Sequence, residues 1–556
     1  MATVPADAQG GELQEELEKK LAEIGRGEAA IGAKQLAKEL GVPFASLKGM
    51  PIDPGALSQV PEATARAARV ALVQAKGTTA IAVTPDPRTP DATKLLDGLR
   101  KTYPKLQVVI ISPADLEVVL ARYATIKTAE VFEVGAIRMD DKVLAAAVER
   151  IKNVEDLKAQ IASANVTQMF EILVAGALAT KASDIHFEPE AKILRLRYRL
   201  DGLLHDVVTL EPPVYHRILN RVKVLSKMKL NVTKAPQDGR FTIRQSDVDI
   251  EVRVSVLPSE YGESIVMRLL DPRNIHAKLE ELGMRDDILT QVRNQLAKPQ
   301  GALLTTGPTG SGKTTTLYAF LNELNTPDLK IITVEDPIEY HIEGINQTQV
   351  EPEKGYTFAS GLRAIVRQDP DVILIGEIRD LETADIALNA ALTGHMVLST
   401  IHTNDAAGTI PRLIELGAKP ETVAPAMTMA MGQRLVRRLC PDCKKAAKIP
   451  AEELAKIKET VAPILERFKL KSPGETEFFG PVGCAKCNGT GYRGRVGVYE
   501  VFEVSREMEH LILSSPAVSD VRDQAVKQGM VTMLQDGYLK LLEGVTSLEE
   551  IRRVLG

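Results

Sequence analysis

The chain has 556 residues, 44% of them hydrophobic and 26% charged, with a formal net charge of −5. At ~150 residues per domain, that length points to about three or four domains of ordinary globular composition, each able to bury a core. The acidic balance, the lack of tryptophan and an aromatic content of only 4% argue against nucleic-acid binders, which need a basic excess or stacking platforms.

No apolar stretch approaches the ~18 residues that cross a bilayer, and Met1–Gly11 holds no apolar signal core. A cytoplasmic protein is expected, with any membrane contact made through a partner. In chain order, Leu13, Leu17, Leu21 and Ile24 share one helical face. A second helix, Lys34–Leu40, stops at Gly41 and Pro43. Strand patterns at Val70–Val73, Thr79–Val83 and Leu106–Ile111 alternate with helical ones at Asp91–Tyr103 and Pro113–Tyr123. Residues 1–125 therefore read as an N-terminal α/β domain.

A charged linker over 126–162 follows, then a second N-terminal domain over 163–275. It opens on an apolar helix through Met169, Phe170 and Leu173, and its strands Ile193–Arg199 and Val248–Val256 carry arginines. Residues 276–556 form the third domain.

The third domain holds the chemistry. Gly307, Pro308, Thr309, Gly310, Ser311, Gly312, Lys313 and Thr314 match the GxxxxGKT phosphate loop. An apolar strand pattern, Gly301–Thr306, precedes it and a helix pattern, Thr315–Leu324, follows. Glycines let backbone N–H groups turn inward around phosphates, and the helix N-terminus adds its dipole. Lys313 is expected on the β- and γ-phosphates of ATP and Thr314 on Mg²⁺, with Thr315 completing the binding loop.

Two buried strand patterns end in acids: Ile331–Val334 before Glu335-Asp336, and Val372–Ile375 before Gly376-Glu377. Ligands of parallel sheets sit at the carboxyl ends of strands. Glu335 and Glu377 are thus candidates for positioning the attacking water and for holding Mg²⁺. His395 and His402 bracket the strand pattern Met396–Ile401 and are assigned a γ-phosphate-sensing or geometry-holding role.

All four cysteines fall into two CxxC pairs, Cys440/Cys443 and Cys484/Cys487. In a reducing compartment such a set reads as a closed, structural Cys₄ Zn²⁺ site. The long spacer fits a subdomain inserted between the knuckles, giving a zinc-binding subdomain over 440–490.

These motifs together resemble the type II secretion and type IV pilus assembly ATPases. The stretch from Leu362 to Asp380 looks like that family's signature, Thr333–Pro337 like its aspartate box, and Gly394–Thr403 like its histidine box. Ala182–Pro189 and Pro236–Arg240 are similar to its second N-terminal domain. Many loop-type ATPases carry Asp before the second glutamate, but Gly376 is normal within this family.

The resemblance implies an α/β architecture: a RecA-like motor domain with a zinc subdomain and C-terminal helices, preceded by two smaller α/β domains, the second PAS-like. It implies a homohexamer with ATP between subunits, and arginines of the second domain near the phosphates. Arg199 and Arg240 are the leading candidates, ahead of Arg253. It further implies an inner-membrane platform protein as partner and pilus extension as the work. A type II secretion pseudopilus motor is the close alternative. A RecA-like nucleic-acid translocase and an ATP-binding scaffold without turnover are distant ones. Some relatives bind a cyclic dinucleotide through Arg-Leu-Gly repeats, which are not evident here, so no such binding is expected.

Overall fold

A computed structural model describes residues 29–46, 52–128, 135–138, 154, 156–157, 166–245, 248–274, 278–469 and 471–556. The helical face expected at Leu13–Ile24 lies outside these residues, as does most of the 126–162 segment. The chain divides into two compact units, Met1–Phe132 and Glu133–Gly556.

In the first unit, β1 (Ala71–Lys76), β2 (Thr79–Thr84) and β3 (Lys105–Ile110) form a sheet in that order. The β1–β2 pair is an antiparallel hairpin closed at Gly77, whereas β2 and β3 run parallel. The parallel step needs a crossover, and the helix Pro90–Thr102 provides it. Leu72, Val83, Leu96, Leu116 and Tyr123 are buried. The Tyr123 hydroxyl donates to the carbonyls of Leu57 and Val60, both at 2.9 Å.

The second unit begins with a seven-stranded sheet. In chain order its strands are β4 (Ala136–Arg138), β5 (Asp184–Pro189), β6 (Leu194–Leu200), β7 (Leu203–Leu210), β8 (Gln237–Arg244), β9 (Asp249–Ser259) and β10 (Gly262–Leu270); across the sheet they run β4-β8-β9-β10-β5-β6-β7. Strict alternation sorts its faces. Leu194, Leu196, Tyr198, Ile250, Val252, Val254, Ile265 and Met267 point into a core shared with the helices Val166–Ala179 and Pro212–Leu225. The residues between them, arginines among them, face the other way.

The motor sheet follows: β11 (Gly301–Thr306), β12 (Ile331–Glu335), β13 (Asn346–Gln349), β14 (Val372–Ile375), β15 (Met396–Ile401), β16 (Met427–Leu439) and, after a short hairpin of β17 (Lys445–Ala446) and β18 (Phe479–Gly480), β19 (Tyr492–Glu503). Its order is β13-β12-β14-β15-β11-β16-β19, parallel except for the antiparallel edge strand β19. Strands β11, β12, β14 and β15 are buried at every residue. Helices cover both faces of such a sheet, and its strands therefore read as unbroken apolar runs. Among the described residues no helix is long and apolar enough to cross a membrane.

Candidate ATP site and metal centre

The turn from β11 into the helix Lys313–Leu324 forms the phosphate loop. Gly307 has φ +147, and a Cβ there would lie 2.5 Å from the Gln433 carbonyl and 2.7 Å from Ser311 Oγ, so only glycine fits. Gln433, fully buried on β16, donates from Nε2 to the Ser311 carbonyl at 2.8 Å. Lys313 Nζ donates to the carbonyls of Gly307 (2.8 Å) and Pro308 (3.2 Å). Its ammonium thus curls over the loop it is expected to share with phosphate. Burial pushes the Lys313 amine below its ordinary range, against the pull of Glu377.

A cavity of about 500 Å³ opens over the loop, lined by Thr309–Thr315, Glu335, Glu377 and His402. This brings the two sequence-predicted acids to one site, each in a different setting. Burial works to raise the Glu377 carboxyl, but hydrogen bonds from Arg379 and His402 outweigh it and hold the group below its usual range. His402 Nε2 lies 3.0 Å from Glu377 Oε2, and Arg379 grips Oε1. Glu335 is only 3% exposed, and burial pushes its carboxyl up against hydrogen bonds from Thr333, Tyr318 and Gln347. Thr314 and Glu377 line the same cavity, and their side chains offer the hard oxygens that suit Mg²⁺.

The two histidines part company. Parallel register sets Gly301 beside Met396 and Thr306 beside Ile401. His402 therefore follows the strand end beside the phosphate loop. His395 sits at the opposite end of that strand, about 23 Å away at ~3.3 Å per strand residue, with Nδ1 2.9 Å from the Ala390 carbonyl. Of the two expected roles, phosphate sensing or holding geometry, only the second fits the place of His395, because a strand that carries His402 to the site carries His395 away.

The arginines form a row. Register aligns Arg240 with Arg253, Arg253 with Arg268, Arg268 with Asp184, and Asp184 with Arg199. Like charges directly opposite on a sheet repel, so the row needs anions. Arg253 donates to Glu339 at 3.1 Å and to the Ile338 carbonyl at 2.6 Å. Asp184 accepts from Arg268 and forms an ion pair with Arg199, each at 3.1 Å. Arg240, Arg253 and Arg268 line a second cavity of about 620 Å³ with Pro337 and Ile338. Arg268 lines the phosphate-loop cavity as well; sequence reasoning missed it, although its place in the β10 alternation was available. Arg199 is committed to Asp184 and to the Gly202 carbonyl.

The four cysteines converge. Their Sγ atoms lie within 4.8 Å of one another, with Cys440–Cys484 at 3.9 Å, Cys443–Cys487 at 3.8 Å and Cys484–Cys487 at 3.7 Å. A tetrahedral zinc with Zn–S bonds of ~2.3 Å has S···S edges of ~3.8 Å, so the set fits Zn²⁺. Backbone N–H groups of Cys484 and Gly491 point at Cys487 Sγ, at 3.1 and 3.2 Å, as a thiolate ligand requires. The cluster closes the outer end of the β16–β19 ribbon, because Cys440 directly follows β16 and Cys487 precedes β19.

Comparison with known proteins gives the family. The family model "Type II/IV secretion system protein" matches residues 159–553, and the "MshEN domain" model matches 40–130. The type IV pilus assembly ATPase PilB of Myxococcus xanthus is 36% identical over 97% of this chain and 94% of its own length. The type II secretion system protein E of Aeromonas hydrophila is 38% identical over 90% of this chain and 97% of its own. Among solved structures, the ATPase DotB of Legionella pneumophila superposes with a TM-score of 0.51 at 22% identity, covering 70% of this chain and 96% of that one, a likeness of fold. The chain belongs to the type II/IV secretion system protein family and is an ATPase.

Proposed function

We propose that this chain is the hexameric, ATP-driven motor of type IV pilus assembly, acting on the cytoplasmic face of the inner membrane through a platform protein. The observation that carries the reading is the meeting of Lys313, Thr314, Glu335, Glu377 and His402 around one cavity. Lys313 and the loop amides hold the phosphates. Thr314 and Glu377 would hold Mg²⁺, which would supply neutralisation of phosphate charge. Glu335 accepts the proton of the attacking water, and His402 fixes the rotamer of Glu377.

The arginine row answers a need the phosphate loop leaves open. Charge that develops on the transferred phosphoryl group requires cations beyond Lys313. Arg240, Arg253 and Arg268 close on nucleotide when the strands bearing them move against the motor sheet, a reading supported by the cavities they line. A ring of such subunits converts that closure into work on the platform protein.

A type II secretion motor is the second reading, favoured by the long match to the Aeromonas protein. Replacing the chromosomal copy by Glu377→Gln separates the two. Loss of surface filaments with exported proteins unchanged supports pilus assembly. Loss of export with filaments intact supports the secretion motor.

A further inference from the structure

Glu335 sits at the end of β12, and the helix that carries Lys313 and Thr314 leaves β11. These strands are not neighbours, for β14 and β15 lie between them. A side chain makes a direct link. Tyr318, on the Lys313–Leu324 helix and 1% exposed, donates its hydroxyl to Glu335 Oε2. The other carboxylate oxygen accepts from Thr333 Oγ1 at 2.5 Å and from Gln347 Nε2 at 3.2 Å. Gln347 is itself fixed, since its Nε2 reaches the Tyr340 carbonyl at 3.0 Å and its Oε1 accepts the Ile342 N–H at 2.8 Å.

We propose that Tyr318 is a positioning residue for ATP hydrolysis, its hydroxyl holding Glu335 in place relative to the phosphate-loop helix. The inference rests on the reading of Glu335 as the proton acceptor. Packing alone does not call for the hydroxyl: the Tyr318 ring already meets Tyr340 edge-on, with centroids 4.5 Å apart, and phenylalanine would fill that space. Chemistry does call for it. A carboxylate this deeply buried is costly to ionise unless donors face it, and Tyr318 supplies the donor that comes from the nucleotide-binding helix. The Glu339 amide lies 3.4 Å from the same hydroxyl, so the segment after β12 is tied to the helix through one atom.

The test is a double-mutant cycle on the full chain, with Tyr318→Phe, Glu335→Gln and both, reading kcat, KM for ATP, the pH dependence of kcat and thermal unfolding. Tyr318→Phe should lower kcat by roughly tenfold, the scale of one charge-assisted hydrogen bond, with KM changed less than twofold. The acid limb of its profile should move to higher pH, because a lost donor destabilises the ionised form. In the Glu335→Gln background it should have no further effect on kcat. An unchanged kcat and acid limb would overturn the proposal, as would equal losses in both backgrounds. If Glu335→Gln retains full turnover, the assignment of Glu335 fails and this inference with it, whereas a sensitive Glu335 with an indifferent Tyr318 sinks the inference alone. Should Tyr318→Phe prove unfolded, Gln347→Met, which removes a donor to the other oxygen, carries the same expectations.

Discussion

Arg253 faces Arg268 directly across β9 and β10, and Arg240 faces Arg253 across β8 and β9. A sheet gains nothing from three guanidinium groups in line. The Arg253 bonds to Glu339 and Ile338 and the Arg268 bond to Asp184 offset part of the repulsion. The remainder is consistent with a surface kept positive for an anion.

Arg268→Gln should therefore separate stability from turnover. Relief of one like-charge cross-strand pair, worth ~0.2–1 kcal/mol, is set against loss of the bond to Asp184, so the melting temperature should change little. Turnover should fall by at least roughly tenfold if the side chain meets developing phosphate charge. Thermal unfolding and steady-state hydrolysis on the same preparation check both. A lower melting temperature with full activity would assign the row a structural role.

A second prediction concerns acid stability. Burial alone would raise the Glu550 carboxyl, but hydrogen bonds from Arg553 and Arg437 hold it down to about 2. Its side chain is 0% exposed. A carboxylate depressed from 4.5 to about 2 contributes about 3 kcal/mol. The contribution is complete above the unfolded value of 4.5 and is lost as pH falls toward about 2. Glu550→Gln should remove most of it at pH 7 and flatten the acid limb of the stability curve. Denaturant unfolding between pH 7 and pH 3 measures this.

The cysteine cluster gives a third. One zinc per chain is expected by metal analysis, and Cys484→Ser should abolish it. Strong chelation should lower the melting temperature, since metal binding is folding free energy for such a site. The ribbon of β16 and β19 should lose amide protection first near Leu439 and Tyr492, and last near Gln433. Zinc-free protein with an unchanged unfolding curve would argue against a structural metal.

Much of the motor was legible because its central strands are buried on both faces and read as apolar runs. The phosphate loop, Glu335 and Glu377 followed from their places at strand ends. Strand β13 was not legible. Asn346–Gln349 is wholly polar, pairs at the sheet edge with β12, and so carries no hydrophobic signal, which hid Gln347. The pairing of Met427–Leu439 with Tyr492–Glu503 was hidden by the zinc region between them, because register across such a distance leaves no local trace. Tyr318 read only as a helix residue, and its contact with Glu335 exists only after β12 packs beside the helix. His395 and His402 read alike in sequence because they bracket one strand, and only strand geometry sets them at its opposite ends.

Steady-state ATP hydrolysis by the purified chain and by Glu377→Gln, with nucleotide binding followed in parallel, tests the hydrolytic role of the site. The variant's rate should fall by roughly a hundredfold or more with binding of ATP retained, because Lys313 and the loop amides are untouched. Hydrolysis at the wild-type rate in the Glu377→Gln protein would contradict the role given to Glu377.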